Sequence, residues 1–144
     1  MKGYLGDLPE AETYYRSAIR LAPLQADYHR LLAEFCIQYQ IKLDQTALPA
    51  AREALRLAPQ DPANQDVLGQ VLFITGDRAG ALQAYQAALA LDEQYAPANL
   101  HLGVLYSEMG ETSLAFELLQ RAHSSSTDPA IQDQAARLLA YFFP

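Results

Sequence analysis

Leu68-Gly69 and Leu102-Gly103 stand 34 residues apart, and each is followed seven residues later by a glycine and an acid, Gly76-Asp77 and Gly110-Glu111. Laying residues 62–95 on 96–129 brings Ala81 onto Ala115 and Ala88 onto Ala122. It also keeps bulk at two more positions, Leu72 on Tyr106 and Tyr85 on Leu119. Further back the chain repeats at a spacing of 36: Ala11, Ala18, Leu21, Ala22 and Pro23 recur as Ala47, Ala54, Leu57, Ala58 and Pro59. A period of this size means that one small unit is reused, and that each copy buries its apolar face only against its neighbours. Small residues recur where two helices cross closely, and large ones where the gap between helices is filled.

The spacing predicts eight helices, at 8–21, 25–40, 44–57, 62–75, 78–91, 96–109, 112–123 and 128–141, with apolar positions three and four apart. Asp61-Pro62 and Asp128-Pro129 each have the form of an N-cap followed by proline in the first helical turn. Gly6, Gly76 and Gly110 are expected to mark breaks. Gly76 and Gly110 would supply the left-handed residue that ends a helix, and Gly69 and Gly103 would permit close approach in mid-helix. Pro49 leaves the start of the third helix open. Alanine and leucine dominate the apolar half, tryptophan is absent and β-branched residues are few, so the fold class is all-α.

These runs resemble the tetratricopeptide repeat (TPR) family, whose 34-residue helix–turn–helix unit carries W-x2-L-G-x2-Y…A-x3-F…P. Two copies are Leu68-Gly69…Leu72…Ala81…Tyr85…Ala88 and Leu102-Gly103…Tyr106…Ala115…Leu119…Ala122. A third, Leu32-Ala33…Cys36…Ala47…Ala51…Ala54…Pro59, is stretched by two residues, and Gly6-Asp7…Ala11…Tyr15…Ala18…Pro23 is the second half of a fourth. The first aromatic is replaced by His29, Gln65 and Asn99, and the last proline by Glu93 and Thr127. The resemblance implies a single right-handed α-solenoid of antiparallel helix pairs: a half repeat (1–25), repeats at 26–61, 62–95 and 96–129, and a capping helix (130–144). The opening MKGYLGD is expected to be the end of a helix that starts upstream. Leu8, Tyr14, Tyr15 and Ile19 would then leave an apolar face open.

In the family the first helix of each pair lines a concave groove that holds a peptide or a partner's helix. Carried over by position, the groove is Asp27, Arg30, Glu34, Ile37 and Gln38; then Ala63, Asp66, Gln70, Phe73 and Ile74; then Pro97, Leu100, Val104, Ser107 and Glu108. Of these, Arg30, Glu34, Gln38, Asp66, Gln70, Phe73, Leu100, Val104 and Ser107 are the candidate binding residues. Arg30 would meet a carboxylate, and Phe73, Leu100 and Val104 an apolar side chain. Modules that clamp a chaperone's C-terminal carboxylate use Lys, Arg and Asn at matched groove positions, which here read Arg30, Glu34, Asp66, Gln70, Leu100 and Val104, one base and two acids, so that specificity is not expected.

Net charge is −7, with two lysines and eight arginines. No basic stripe exists to displace counterions from nucleic acid, and no apolar run approaches the ~18 residues of a membrane span. His29, His101 and His123 fall in different repeats with no second ligand at helical spacing. Cys36 takes an interior position, and Gly76-Asp77-Arg78-Ala79-Gly80 has the wrong spacing for a phosphate loop. The expectation is therefore a non-enzymatic interaction module with a protein or peptide partner, without cofactor or metal. Two alternatives are a self-assembling scaffold, for which the open first helix and Tyr141-Phe142-Phe143 speak, and a regulatory segment of a larger enzyme. The compartment is not encoded; the cytoplasm is favoured, and the single cysteine is no more than compatible with a reducing compartment.

Overall fold

The computed structural model describes residues 4–144, with side chains from residue 8 onward. Among these residues are eight α-helices and no strand: α1 (Tyr4–Leu21), α2 (Ala26–Tyr39), α3 (Leu48–Leu57), α4 (Pro62–Ile74), α5 (Arg78–Leu91), α6 (Ala96–Glu108), α7 (Thr112–Ser125) and α8 (Pro129–Phe142). They stack as an α-solenoid. The pairs α2–α3, α4–α5 and α6–α7 each pack on the next, and the first helices α2, α4, α6 and α8 also touch in succession. That second set of contacts builds one continuous face from first helices.

The repeated glycines explain the pairing. A Cβ on Gly69 would lie 2.5 Å from Tyr85 Cε1, so glycine is what lets α5 set a buried aromatic ring against α4. Gly103 does the same for Leu119. Gly76 ends α4 with φ of 96°. The Asp77 amide then reaches back to the Leu72 carbonyl at 2.8 Å and closes the end of the helix.

Two sequence expectations fail at the connections. First, α1 is helical from Tyr4, the first described residue, and carries Gly6 inside it, so Gly6 is not a break. A single glycine in a helix costs only about 1 kcal/mol, too little to stop it. Second, the stretched repeat is not a longer helix at 44–57. Gln40 ends α2 in the left-handed region (φ 51°), doing in that repeat what Gly76 does in its own: the Ile41 amide reaches the Cys36 carbonyl at 3.0 Å. Lys42 is left-handed as well (φ 48°), and a π-helical turn, Leu43–Ala47, leads straight into α3 with Pro49 in its first turn. The two extra residues are absorbed there, and Ala47, Ala51 and Ala54 still reach the core.

The two predicted caps form: Asp61 and Asp128 accept from the amides of Ala63 (3.0 Å) and Ala130 (2.9 Å). Asp77, not expected as a cap, accepts from the amide of Gly80 (2.8 Å), whereas Glu111, its counterpart, makes no cap bond. Asp61 also takes Arg30 Nη1 at 3.3 Å. Asp61→Ala is therefore expected to cost about 1–2 kcal/mol, and Asp128→Ala, which loses only a cap, about 1 kcal/mol. Urea denaturation of the two variants checks the ranking. Buried Asn64 and Asn99 fasten one pair to the next. Their side-chain amides donate to the carbonyls of Ala54 and Ala58, and of Glu93 and Tyr95, at 3.0–3.2 Å.

Candidate functional site

The face built from α2, α4 and α6 holds all the predicted groove residues but does not present them equally. Arg30, Asp66 and Leu100 occupy the same place, five residues past the N-cap, in successive first helices. Each lies in the seam where its helix meets the next one. Arg30, 19 % exposed, is ringed by Asp27 (3.3 Å), Glu34 (3.4 Å) and Asp61 (3.3 Å). The expectation that it waits for a partner's carboxylate is corrected, because its own chain supplies three. Asp66 is buried, with Oδ1 2.8 Å from His101 Nδ1 of α6 and Oδ2 accepting from Gln70 Nε2 at 3.0 Å. Leu100 is 2 % exposed, in a cluster with Leu119, Ala122 and Ala135, so it belongs to the interior beneath α8 and not to an open groove. The physical reason is shared: helical periodicity says which face a residue is on, not how far the neighbouring helix covers that face.

Further along the same helices the surface opens. Phe73 and Val104 are half-buried, Ile74 is 37 % exposed, Gln38 is exposed and Glu34 is half-buried. The Arg78 guanidinium sits over the Phe73 ring, 5.1 Å from its centroid, and pairs with Glu108 at the end of α6. Ser107 turns its hydroxyl back to the Gly103 carbonyl at 2.9 Å. The structure thus joins Asp66, Gln70 and His101, and joins Phe73, Arg78 and Glu108, while Gln38 stands apart. His101 and Arg78 were absent from the predicted set. A residue about one repeat away along the chain lies across the seam, and that signal would have found both: Asp66 and His101 are 35 residues apart, Arg78 and Glu108 30 apart.

Electrostatics set the character of this face. Burial works against the charged His101 ring, but the Asp66 charge and hydrogen bond outweigh it and raise the pKa. Burial pushes the Glu34 carboxyl up, with Arg30 opposing. At the other end of the molecule, hydrogen bonds from Lys42 (2.7 Å) and Arg16 (2.8 Å) hold the Glu12 carboxyl low. A group whose pKa is raised by folding stabilises the fold fully below its ordinary value, 6.5 for His101, and loses that effect as pH climbs through the raised value. Glu12 is the reverse: its contribution is present above 4.5 and lost as pH falls through the lowered value. Urea midpoints are expected to plateau between about pH 5 and about pH 6, with a fall on either side. His101→Gln should flatten the alkaline fall and Glu12→Gln the acidic one.

Among the described residues no group of His, Cys, Asp and Glu is placed to hold a metal, and no helix is long and apolar enough to cross a membrane. Cys36 is buried, with burial pushing its thiol up. A concavity of about 280 Å³ lined by Arg16, His29, Thr46 and Glu53 includes none of the candidate groove residues, and its Arg16 is already bonded to Glu12 and Thr46.

Two family profiles match: a tetratricopeptide repeat over residues 2–62 and a TPR repeat over residues 69–110. Over 55 residues the chain is 42% identical to a probable UDP-N-acetylglucosamine–peptide N-acetylglucosaminyltransferase, SPINDLY, of Oryza sativa subsp. japonica, and 40% identical to that of Hordeum vulgare. The stretch is 38% of this chain and 6% of those proteins, so the chain spans only a small part of these curated relatives. Among solved structures it is similar to TTC0263, a thermophilic TPR protein of Thermus thermophilus, with TM-score 0.80 and 21% identity over 96% of this chain and 76% of that one. It is also similar to YrrB, described as a TPR protein with an unusual peptide-binding site, with TM-score 0.68 and 23% identity over 90% and 66%. At such identities the structures speak to the fold alone. The repeat register, the helix pairs it produces and both profiles agree: this chain belongs to the tetratricopeptide repeat family.

Proposed function

We propose that this chain is a non-catalytic interaction module that takes an extended peptide or a helix of a protein partner along its first-helix face. One observation carries the reading. On that face the charged groups are largely satisfied within the chain, whereas Phe73, Ile74 and Val104 stay partly open. Apolar side chains at the centre of a polar surface are what interaction hot spots are made of. The likeness to YrrB supports the same direction. The reading includes a cytoplasmic setting, where the Cys36 thiol stays reduced.

The test is selection from a displayed peptide library on the native chain and on Phe73→Ala/Val104→Ala, with circular dichroism as the folding control. The native chain is expected to enrich peptides that bind the double variant at least about tenfold more weakly, about 1.4 kcal/mol. Equal binding by a folded variant rejects the site.

Two other readings rest on observations of their own. The match to the rice transferase favours a regulatory segment of a larger enzyme, and the parent reading frame decides it. Exposed Tyr14, Leu21 and Tyr141 favour self-assembly, which a strict monomer in light scattering at high concentration rejects.

A further inference from the structure

The seams between first helices are joined in three different ways. In α2 the seam residue is Arg30, whose charge is permanent. In α6 it is Leu100, which has none. The α4–α6 seam is joined instead by a carboxylate and an imidazole, the side chain whose ordinary range lies near neutrality: Asp66 with His101, Nδ1 to Oδ1 at 2.8 Å. The carboxylate is 3 % exposed and the ring 25 % exposed. The imidazole stacks on Tyr85, centroids 5.7 Å apart, and Tyr85 stands against Gly69 of α4. The ring is therefore held by α4 and α5 while it belongs to α6.

We propose that Asp66–His101 is a protonation-controlled latch across the α4–α6 seam, closed while the imidazole is charged and released when it loses its proton. A neutral imidazole still has an Nδ1–H to donate, but it leaves Asp66 as a buried anion without a counter-charge. The other groups around it cannot replace that charge. From α2 come Glu34, a like charge, and Arg30, already shared among Asp27, Glu34 and Asp61. The phenols of Tyr85 from α5 and of Tyr95 ahead of α6 are both held neutral, by burial first and by the Asp66 charge second. The α7 and α8 helices also pack on α6; His123 of α7 is exposed, and the charged groups are Glu117, Arg121, Asp133 and Arg137. These pair among themselves and with Glu93. An uncompensated carboxylate in that position is relieved by water, and water reaches it when α4 and α6 part. The hinge then lies between the helices up to α5 and those from α6 on, whether or not the face holds a peptide.

The experiment places spin labels at Arg52→Cys in α3 and Gln120→Cys in α7, both exposed, with Cys36 buried and unlabelled. Distances are read by pulsed dipolar spectroscopy at about pH 5.5 and about pH 8.5, on either side of the imidazole's range. In the labelled chain with His101 intact, the higher pH is expected to move the mean separation by about 1–2 Å and to broaden it, the scale of helix shifts at packed interfaces. His101→Gln should give the broad distribution at both values, and Asp66→Asn should give one distribution that ignores pH. Identical distributions at the two values, while the His101 ring resonance titrates between them, overturn the latch. That comparison needs no substitution at the pair, so it decides for or against the latch even where a variant fails to fold.

Discussion

Gly69→Val is expected to destabilise the fold by about 2–3 kcal/mol, the upper part of the range for forcing carbon into a packed core. The added Cβ falls 2.5 Å from Tyr85 Cε1 and 2.6 Å from Cδ1. The ring has nowhere to go, because Tyr85 is buried and its other neighbour is the stacked imidazole of His101. The small gain in helix propensity from replacing glycine, under about 1 kcal/mol, does not offset this. Urea denaturation measures the loss, and a cycle with Tyr85→Ala identifies its cause. Tyr85→Ala alone should cost about 3–5 kcal/mol, and adding Gly69→Val to it should cost little more. Full additivity would place the clash elsewhere. Gly76→Ala is the contrast: it meets nothing within 4 Å, and only its positive φ resists, at about 1–2 kcal/mol.

His101→Leu is the second large effect, about 2–3 kcal/mol at about pH 6. Breaking a buried charge pair usually costs about 3–5 kcal/mol, and the partly exposed ring brings the figure down. The loss comes from what remains, a buried Asp66 with Gln70 as its one neutral donor. Replacing both, Asp66→Leu with His101→Leu, should recover most of it, since an apolar seam of this kind already exists at Leu100. The single variant's deficit should also shrink toward alkaline pH, where the native imidazole has given up its proton. A deficit independent of pH, with no recovery in the double variant, would show that the ring acts by packing alone.

Much of the fold was readable because the residues that recur are those that helix crossing requires. Gly69 and Gly103 recur because an aromatic or a leucine must pass them, and Ala81, Ala88, Ala115 and Ala122 because they are fully buried between helices. The aspartate–proline caps were readable for a local reason, since each bond spans two residues. The start of α1 was not: Gly6 and Pro9 weigh against a helix locally, yet the helix runs through them. On the candidate face, the positions carried over from the family say which stripe to look at but not its depth, so Arg30 and Leu100 were expected to be available when the next helix had already engaged them. Arg78 was missed for a related reason. It belongs to a second helix by sequence and reaches the Phe73 ring of a first helix only in three dimensions.

Gln40 and Lys42 carry a consequence for how such a chain can change over generations. Two surplus residues enter one repeat, and the cost stays at two left-handed backbones and one π turn; Ala33 before them and Ala51 after them are as buried as in any regular copy. Repeat length is thus a property of the connection between α2 and α3 and not of the stack. Insertions and deletions arising there leave the helix stack in place, so the loop can drift in size, or accept a grafted segment, while the first-helix face is inherited unchanged.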